Sequence, residues 1–152
     1  QAYDDAFAAA THLQLYSQAC PLFVEYVEAG VTGGSELLDV TRQYLQPLQE
    51  ADVDTLVLGC THYPLLTGVV SYVMGDAVTL VSSAEETAKD VYRLLAANDL
   101  LRADSEPAPV HRFLATGDPE PFERLGRRFL GPEIGDVGHA PVEMEGSPAQ
   151  LG

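Results

Sequence analysis

Cys60, Thr61 and His62 stand in direct succession within Asp54-Thr-Leu-Val-Leu-Gly-Cys-Thr-His-Tyr-Pro-Leu-Leu66. A thiol, a hydroxyl and an imidazole are side chains of nucleophilic and proton-transfer chemistry. Cysteine suits such work because its pKa is readily lowered toward neutrality by positive charge or a helix N-terminus. The residues before them form a short apolar run of the kind buried on both faces in parallel sheet. The residues after them read as a helix to about Met74, stopped by Gly75. Cys60 is therefore expected at the carboxyl end of a strand and just ahead of a helix. There its thiol would meet orphan backbone N–H groups and the positive end of the helix dipole, with Thr61 able to cap the helix. A cysteine in that place can equally be a small buried hydrophobe, so position alone leaves catalysis and packing level. No further ligand cluster supports metal binding by Cys60 and His62, and no metal is expected.

The elements around this segment follow a strand–helix rhythm. Residues 2–11 read as the end of a helix, and Leu13–Ala19 alternates apolar and polar residues as a strand does. A helix follows from Pro21, ending at Gly30. Residues 34–50 form an amphipathic helix through Leu37, Leu38, Tyr44, Leu45 and Leu48, which Pro47 should end or kink. Val78–Val81 is a second apolar strand. Ser83 and Glu86 match a capping box for a helix reaching about Arg102. Arg112–Thr116 is a last strand, and Asp118-Pro119 opens a helix over 119–129. Residues 135–152 are rich in Gly, Pro and acids and read as a mobile tail. This alternation indicates an α/β fold with mostly parallel strands, in which ligands lie beyond the carboxyl ends of the strands.

Composition excludes several functions. The 152 residues carry 23 acids against 8 Lys and Arg, a formal charge of −15. Nucleic-acid binding needs clustered basic residues, and anionic membranes repel such a chain. Residues 1–80 contain Arg42 as their one Lys or Arg, which is unexpected beside a site for an acidic ligand. Cys20 and Cys60 form neither a C-x-x-C pair nor a secreted disulfide framework. No signal peptide appears, and no apolar run approaches the roughly 20 residues of a membrane span, so a cytoplasmic protein is expected. A first residue Gln1 inside a helix-like pattern is what a cut within a longer protein would leave. No glycine-rich phosphate loop is present.

Three blocks, in order and at matching spacing, carry a resemblance. Ala19-Cys-Pro-Leu-Phe-Val…Val-Glu-Ala-Gly30, the Gly59-Cys-Thr-His62 block with its flanks, and Leu80-Val-Ser-Ser-Ala-Glu-Glu-Thr-Ala88 resemble segments of bacterial glutamate racemases. The resemblance runs from about residue 1 to 131. It implies a Rossmann-like arrangement of parallel-sheet layers, part of the two-domain aspartate/glutamate racemase fold. Residues 1–80 would be most of the second domain and 81–131 the segment completing the first; residues 132–152 lie beyond the resemblance and read by composition as a disordered tail. It also implies cofactor-independent interconversion of L- and D-glutamate, supplying D-glutamate for peptidoglycan, by two cysteines on opposite faces of the α-carbon. Cys60 matches the second of these, His62 the histidine that assists it, Thr61 a substrate contact, and Glu28 a glutamate near the histidine. The implied partners are L- and D-glutamate, with a homodimer for the intact protein.

The family's Asp-Ser-Gly and Ala-Cys-Asn blocks, the latter carrying the first catalytic cysteine, are absent. Cys20 sits in a different block and reads as a buried small residue. The chain thus resembles the C-terminal half of a racemase and is expected to be inactive by itself. Two other readings remain: an aspartate or hydantoin racemase of the same superfamily, although the flanking blocks favour glutamate, and a truncated α/β module that binds without catalysis. His12, His111 and His139 lack neighbours that would make a site. Arg124, Arg127 and Arg128 read as a solvated helix face.

Overall fold

The computed structural model describes residues 2–103 and 105–142, with the side chains of residues 2–4 left aside. The chain divides into two compact units, 1–98 and 99–152. In the first, the order is α1 (Ala2–Phe7), α2 (Pro21–Glu28), α3 (Ser35–Glu50), β1 (Thr55–Leu58), a 3-10 turn (Tyr63–Leu66), α4 (Thr67–Met74), β2 (Thr79–Ser82) and α5 (Ser83–Ala97). In the second, β3 (Phe113–Ala115), α6 (Pro119–Leu130), a 3-10 turn (Gly131–Glu133) and β4 (Val137–His139) follow. Each unit holds one parallel pair. β1 pairs with β2 in the register Thr55↔Thr79 to Leu58↔Ser82, and β3 pairs with β4 from Phe113↔Val137 to Ala115↔His139. The α/β class with parallel strands is the one the sequence rhythm indicates.

In the first unit the amphipathic pattern of α3 resolves into a buried stripe of Leu37, Thr41, Leu45 and Leu48. Thr41, fully buried, satisfies its hydroxyl by donating to the Leu37 carbonyl at 2.7 Å. Phe23 of α2 lies at the centre of this core. Its ring meets Tyr44 of α3 and Tyr63 of the turn edge to face, at centroid distances of 5.4 and 5.5 Å, a favoured aromatic geometry. Cys20, Val27, Leu58, Leu66 and Val70 complete the buried set around it. In the second unit Ile134 is buried against Gly126 of α6, where a Cβ would stand 3.2 Å from its Cγ1.

Several local expectations are corrected. Residues 13–19 form no strand: among the described residues no strand pairs with them, and the Leu13 N–H donates back to the Ala10 carbonyl at 2.9 Å. Pro47 does not end α3; the helix continues to Glu50, with Pro47's carbonyl accepting from the Ala51 N–H at 3.1 Å. A proline so near a helix end removes only one backbone bond, and buried Leu48 beyond it holds the last turn in place. The helix after β2 begins one residue earlier than the capping box implied. Ser82 is the cap, accepting from the Glu85 N–H at 3.3 Å, while Ser83 instead donates to the Leu58 carbonyl at 2.8 Å. Glu86 pairs with Lys89, and α5 stops at Ala97, short of Arg102. The Gly131–Val142 stretch carries a turn and β4, so pairing with β3 orders part of the segment that composition reads as tail; residues 143–152 lie outside the described residues.

Burial gives one stability prediction. Cys20 is 3% exposed, and burial pushes its thiol from 9.0 up to about 11. The unfolded chain loses that proton first, so this contribution is full below the ordinary value and is lost as pH rises through about 11. Urea midpoints are expected to fall between pH 9 and 11, with Cys20→Ala removing up to roughly 2 kcal/mol of that decline. An unchanged slope in Cys20→Ala contradicts the assignment.

Candidate functional site

β1 ends at Leu58, and Gly59 and Cys60 leave the sheet at its carboxyl end, where α/β folds place their ligands. Because β1 and β2 are parallel and in register, the start of α5 lies beside that end. The Ser83 hydroxyl closes on the Leu58 carbonyl and fixes the backbone just ahead of Cys60. α4 does not follow at once. The chain passes through the Tyr63–Leu66 turn, and α4 begins at Thr67, whose hydroxyl donates to the Pro64 carbonyl at 2.7 Å. Cys60 is therefore not at the first turn of an α-helix, and the dipole argument for its thiolate loses its geometric basis. Thr61 makes no cap bond either.

Thr61 instead faces the neighbouring imidazole, with its Oγ1 3.2 Å from His62 Nδ1. His62 Nε2 lies 2.7 Å from Glu28 Oε1, at the end of α2. A carboxylate can only accept, so it selects the Nε2–H tautomer of a neutral ring and leaves Nδ1 to accept from the Thr61 hydroxyl. Glu28, His62 and Thr61 thus form one hydrogen-bonded chain that runs back to the residue adjoining Cys60. The side chains of His62 and Glu28 are 29% and 59% exposed. A hydrogen bond so open to water contributes at most about 1 kcal/mol to stability; its consequence is orientation of the ring.

Cys60 is half-buried and Cys20 buried, and both are free thiols. Cys60 lines an open groove of about 630 Å³ together with β1, residues 12–18, Phe23, Leu45 and Val70. Among the described residues β1 pairs with one strand, β2. Among the described residues no three His, Cys, Asp or Glu side chains cluster as metal ligands. No helix there is long and apolar enough to cross a membrane.

The structure brings together three of the four residues singled out by the sequence, Thr61, His62 and Glu28, with Cys60 next in the chain. Two further residues support them. Tyr63 accepts the Cys20 backbone N–H through its hydroxyl at 3.2 Å, and Ser83 anchors Leu58. The sequence carries no local signal for either bond, since each joins segments remote in the chain. Of the remaining histidines, His139 Nε2 lies 3.3 Å from the Thr116 carbonyl. Arg127 pairs with Glu123 at 2.8 Å, consistent with a solvated helix face.

The fold and this site define a Rossmann-like α/β protein with its candidate chemistry at a strand's carboxyl end. Protein-family profiles give no match. The glutamate racemase of Parafrankia sp. (strain EAN1pec) is 65% identical over 142 residues, covering 93% of this chain and 51% of that protein. The glutamate racemase of Mycobacterium tuberculosis (strain ATCC 25177 / H37Ra) is 58% identical over 136 residues, 90% of this chain and 50% of that protein. Among solved structures, a glutamate racemase from Bacillus anthracis superposes with a TM-score of 0.76 at 36% identity, covering 91% of this chain and 50% of that one. The Francisella tularensis glutamate racemase in complex with D-glutamate gives 0.77 at 29% identity, covering 93% and 54%. The chain is thus related to the glutamate racemases and shares the fold of the half it superposes on, and it spans about half the length of the curated relatives it matches.

Exposure differs between the two thiols, and so should reactivity. Iodoacetamide is expected to modify Cys60 faster than Cys20 by on the order of tenfold or more, read by peptide mass spectrometry. Equal rates contradict this packing.

Proposed function

We propose that this chain is the C-terminal half of a glutamate racemase and supplies one of the two proton-transfer thiols. The observation that carries the reading is the Glu28–His62–Thr61 hydrogen-bonded chain beside Cys60 at the carboxyl end of β1. In this mechanism the Cys60 thiolate takes the α-proton of L-glutamate, leaving a planar carbanion. A thiol on the opposite face, from the part of the protein outside this chain, then delivers a proton and yields D-glutamate. The reverse direction exchanges the roles. Both groups must hold a proton readily and release it readily near neutral pH, which cysteine does.

His62 assists Cys60 as a proton carrier held in one tautomer by Glu28, and Thr61 contacts the substrate. The names of the relatives support glutamate over aspartate or a hydantoin as substrate, and the D-glutamate bound to the Francisella protein supports it further. The product would supply peptidoglycan synthesis in the cytoplasm, without an organic cofactor or metal. Residues 1–80 would belong to the second racemase domain and 81–131 to the first, and the intact protein would form a homodimer. By itself the chain would be inactive, since Cys20 is buried in the core and not available as the second thiol.

The test uses a full-length chimera in which this chain replaces the matched stretch of the Parafrankia protein. The chimera is expected to racemise glutamate, and Cys60→Ala to abolish turnover. His62→Ala is expected to lower kcat for L-to-D more than for D-to-L. With an equilibrium constant of one between enantiomers, kcat/KM must fall by the same factor in both directions. Unchanged turnover in Cys60→Ala sinks the proposal, as does activity of the wild-type chimera on aspartate alone.

A further inference from the structure

Consecutive residues of the site turn are attached to opposite ends of one helix. His62 reaches Glu28, the last residue of α2, at 2.7 Å. Tyr63 reaches back to Cys20, the residue that caps the start of α2, and accepts its N–H at 3.2 Å. α2 has 8 residues, so the attachments lie about 12 Å apart along its axis. One attachment would leave the turn free to pivot; two fix its rotation as well. The His62–Glu28 contact is open to water and cannot impose that geometry by itself. Tyr63 is better placed to do so, with its ring against Phe23 at 5.5 Å, edge to face.

We infer that Tyr63 is a positioning residue for the proposed proton transfer, its hydroxyl locking the Cys60–His62 turn onto α2 so that Glu28 and His62 meet. The inference rests on the racemase reading for its kinetic consequence, and on geometry alone for its structural one. Burial and the nearby Cys20 and Cys60 thiols raise the Tyr63 phenol above its ordinary value of 10.0, although the Cys20 N–H opposes them.

A close control exists in the same core. Tyr44 also packs edge to face on Phe23, at 5.4 Å, and its hydroxyl accepts the Leu22 N–H of α2 at 3.4 Å. It carries no part of the site turn. Tyr63→Phe and Tyr44→Phe each keep the ring and delete one hydroxyl bond to the start of α2, so any general loosening of the core appears in both.

The experiment compares the two variants in the full-length chimera by steady-state kinetics and by ¹⁵N NMR of the His62 ring. Tyr63→Phe is expected to lower kcat about tenfold, within what small misplacement of catalytic groups costs, with KM changed less than about twofold. Its His62 should shift from the Nε2–H tautomer to a mixture. Tyr44→Phe should keep both kcat and tautomer. If Tyr63→Phe retains the tautomer and kcat, or if Tyr44→Phe loses them equally, the positioning role is overturned. If the wild-type chimera does not racemise glutamate while Tyr63→Phe still releases the His62 tautomer, the racemase reading fails and the positioning role stands.

Discussion

Everything near Cys60 depends on the register in which β1 pairs with β2. Side chains alternate across a strand, so a slip of one residue would exchange buried Leu58 with Val57 and turn the core face outward. The same slip would separate Ser83 from the Leu58 carbonyl and move the exit of Gly59 and Cys60 away from the start of α5. Beside this pair Phe23 gathers α2, α3 and the site turn around one ring. Packing is therefore what aims the polar groups. The Glu28–His62 pair is too exposed to organise its surroundings and depends on the elements that bring its ends together.

The shortage of basic residues acquires a physical explanation in this setting. Arg42, the one Lys or Arg among the first eighty residues, lies on the exposed side of α3 and is paired with Asp39 at 3.2 Å. It does not serve the candidate site. In the proposed reaction the substrate carboxylates would be held by backbone N–H groups and hydroxyls at strand and helix ends, which bind anions without a cationic side chain.

Much of this was legible in the sequence, and the limits have identifiable causes. Short apolar runs bounded by glycine and helices with regular apolar spacing located β1, β2, α3 and α6 to within a residue or two. Asp118 caps α6 as its Asp-Pro signature indicates. Cys60, Thr61 and His62 stood out by their succession after an apolar strand, whereas Glu28 joined them only through the ordered blocks, since spacing alone does not bring residue 28 to residue 62. Alternation at 13–19 misled because a strand needs a neighbour as well as a pattern. The Ser82–Ser83 pair misled because either hydroxyl can cap, and the carbonyl of Leu58, 25 residues away, decides between them. β4 was hidden in a Gly-rich segment of three paired residues, and the Tyr63 bond to Cys20 spans 43 residues. Long-range partners are what local pattern cannot supply.

The central claim is that Glu28 and His62 act on Cys60 as one unit. A double-mutant cycle on racemisation by the full-length chimera measures this most directly, using Glu28→Gln, His62→Ala and the pair. Residues that act through one another are non-additive. The account predicts that the double variant loses no more kcat than His62→Ala alone. Losses that multiply would show that Glu28 and His62 act independently, and the hydrogen-bonded chain would then have no part in the chemistry.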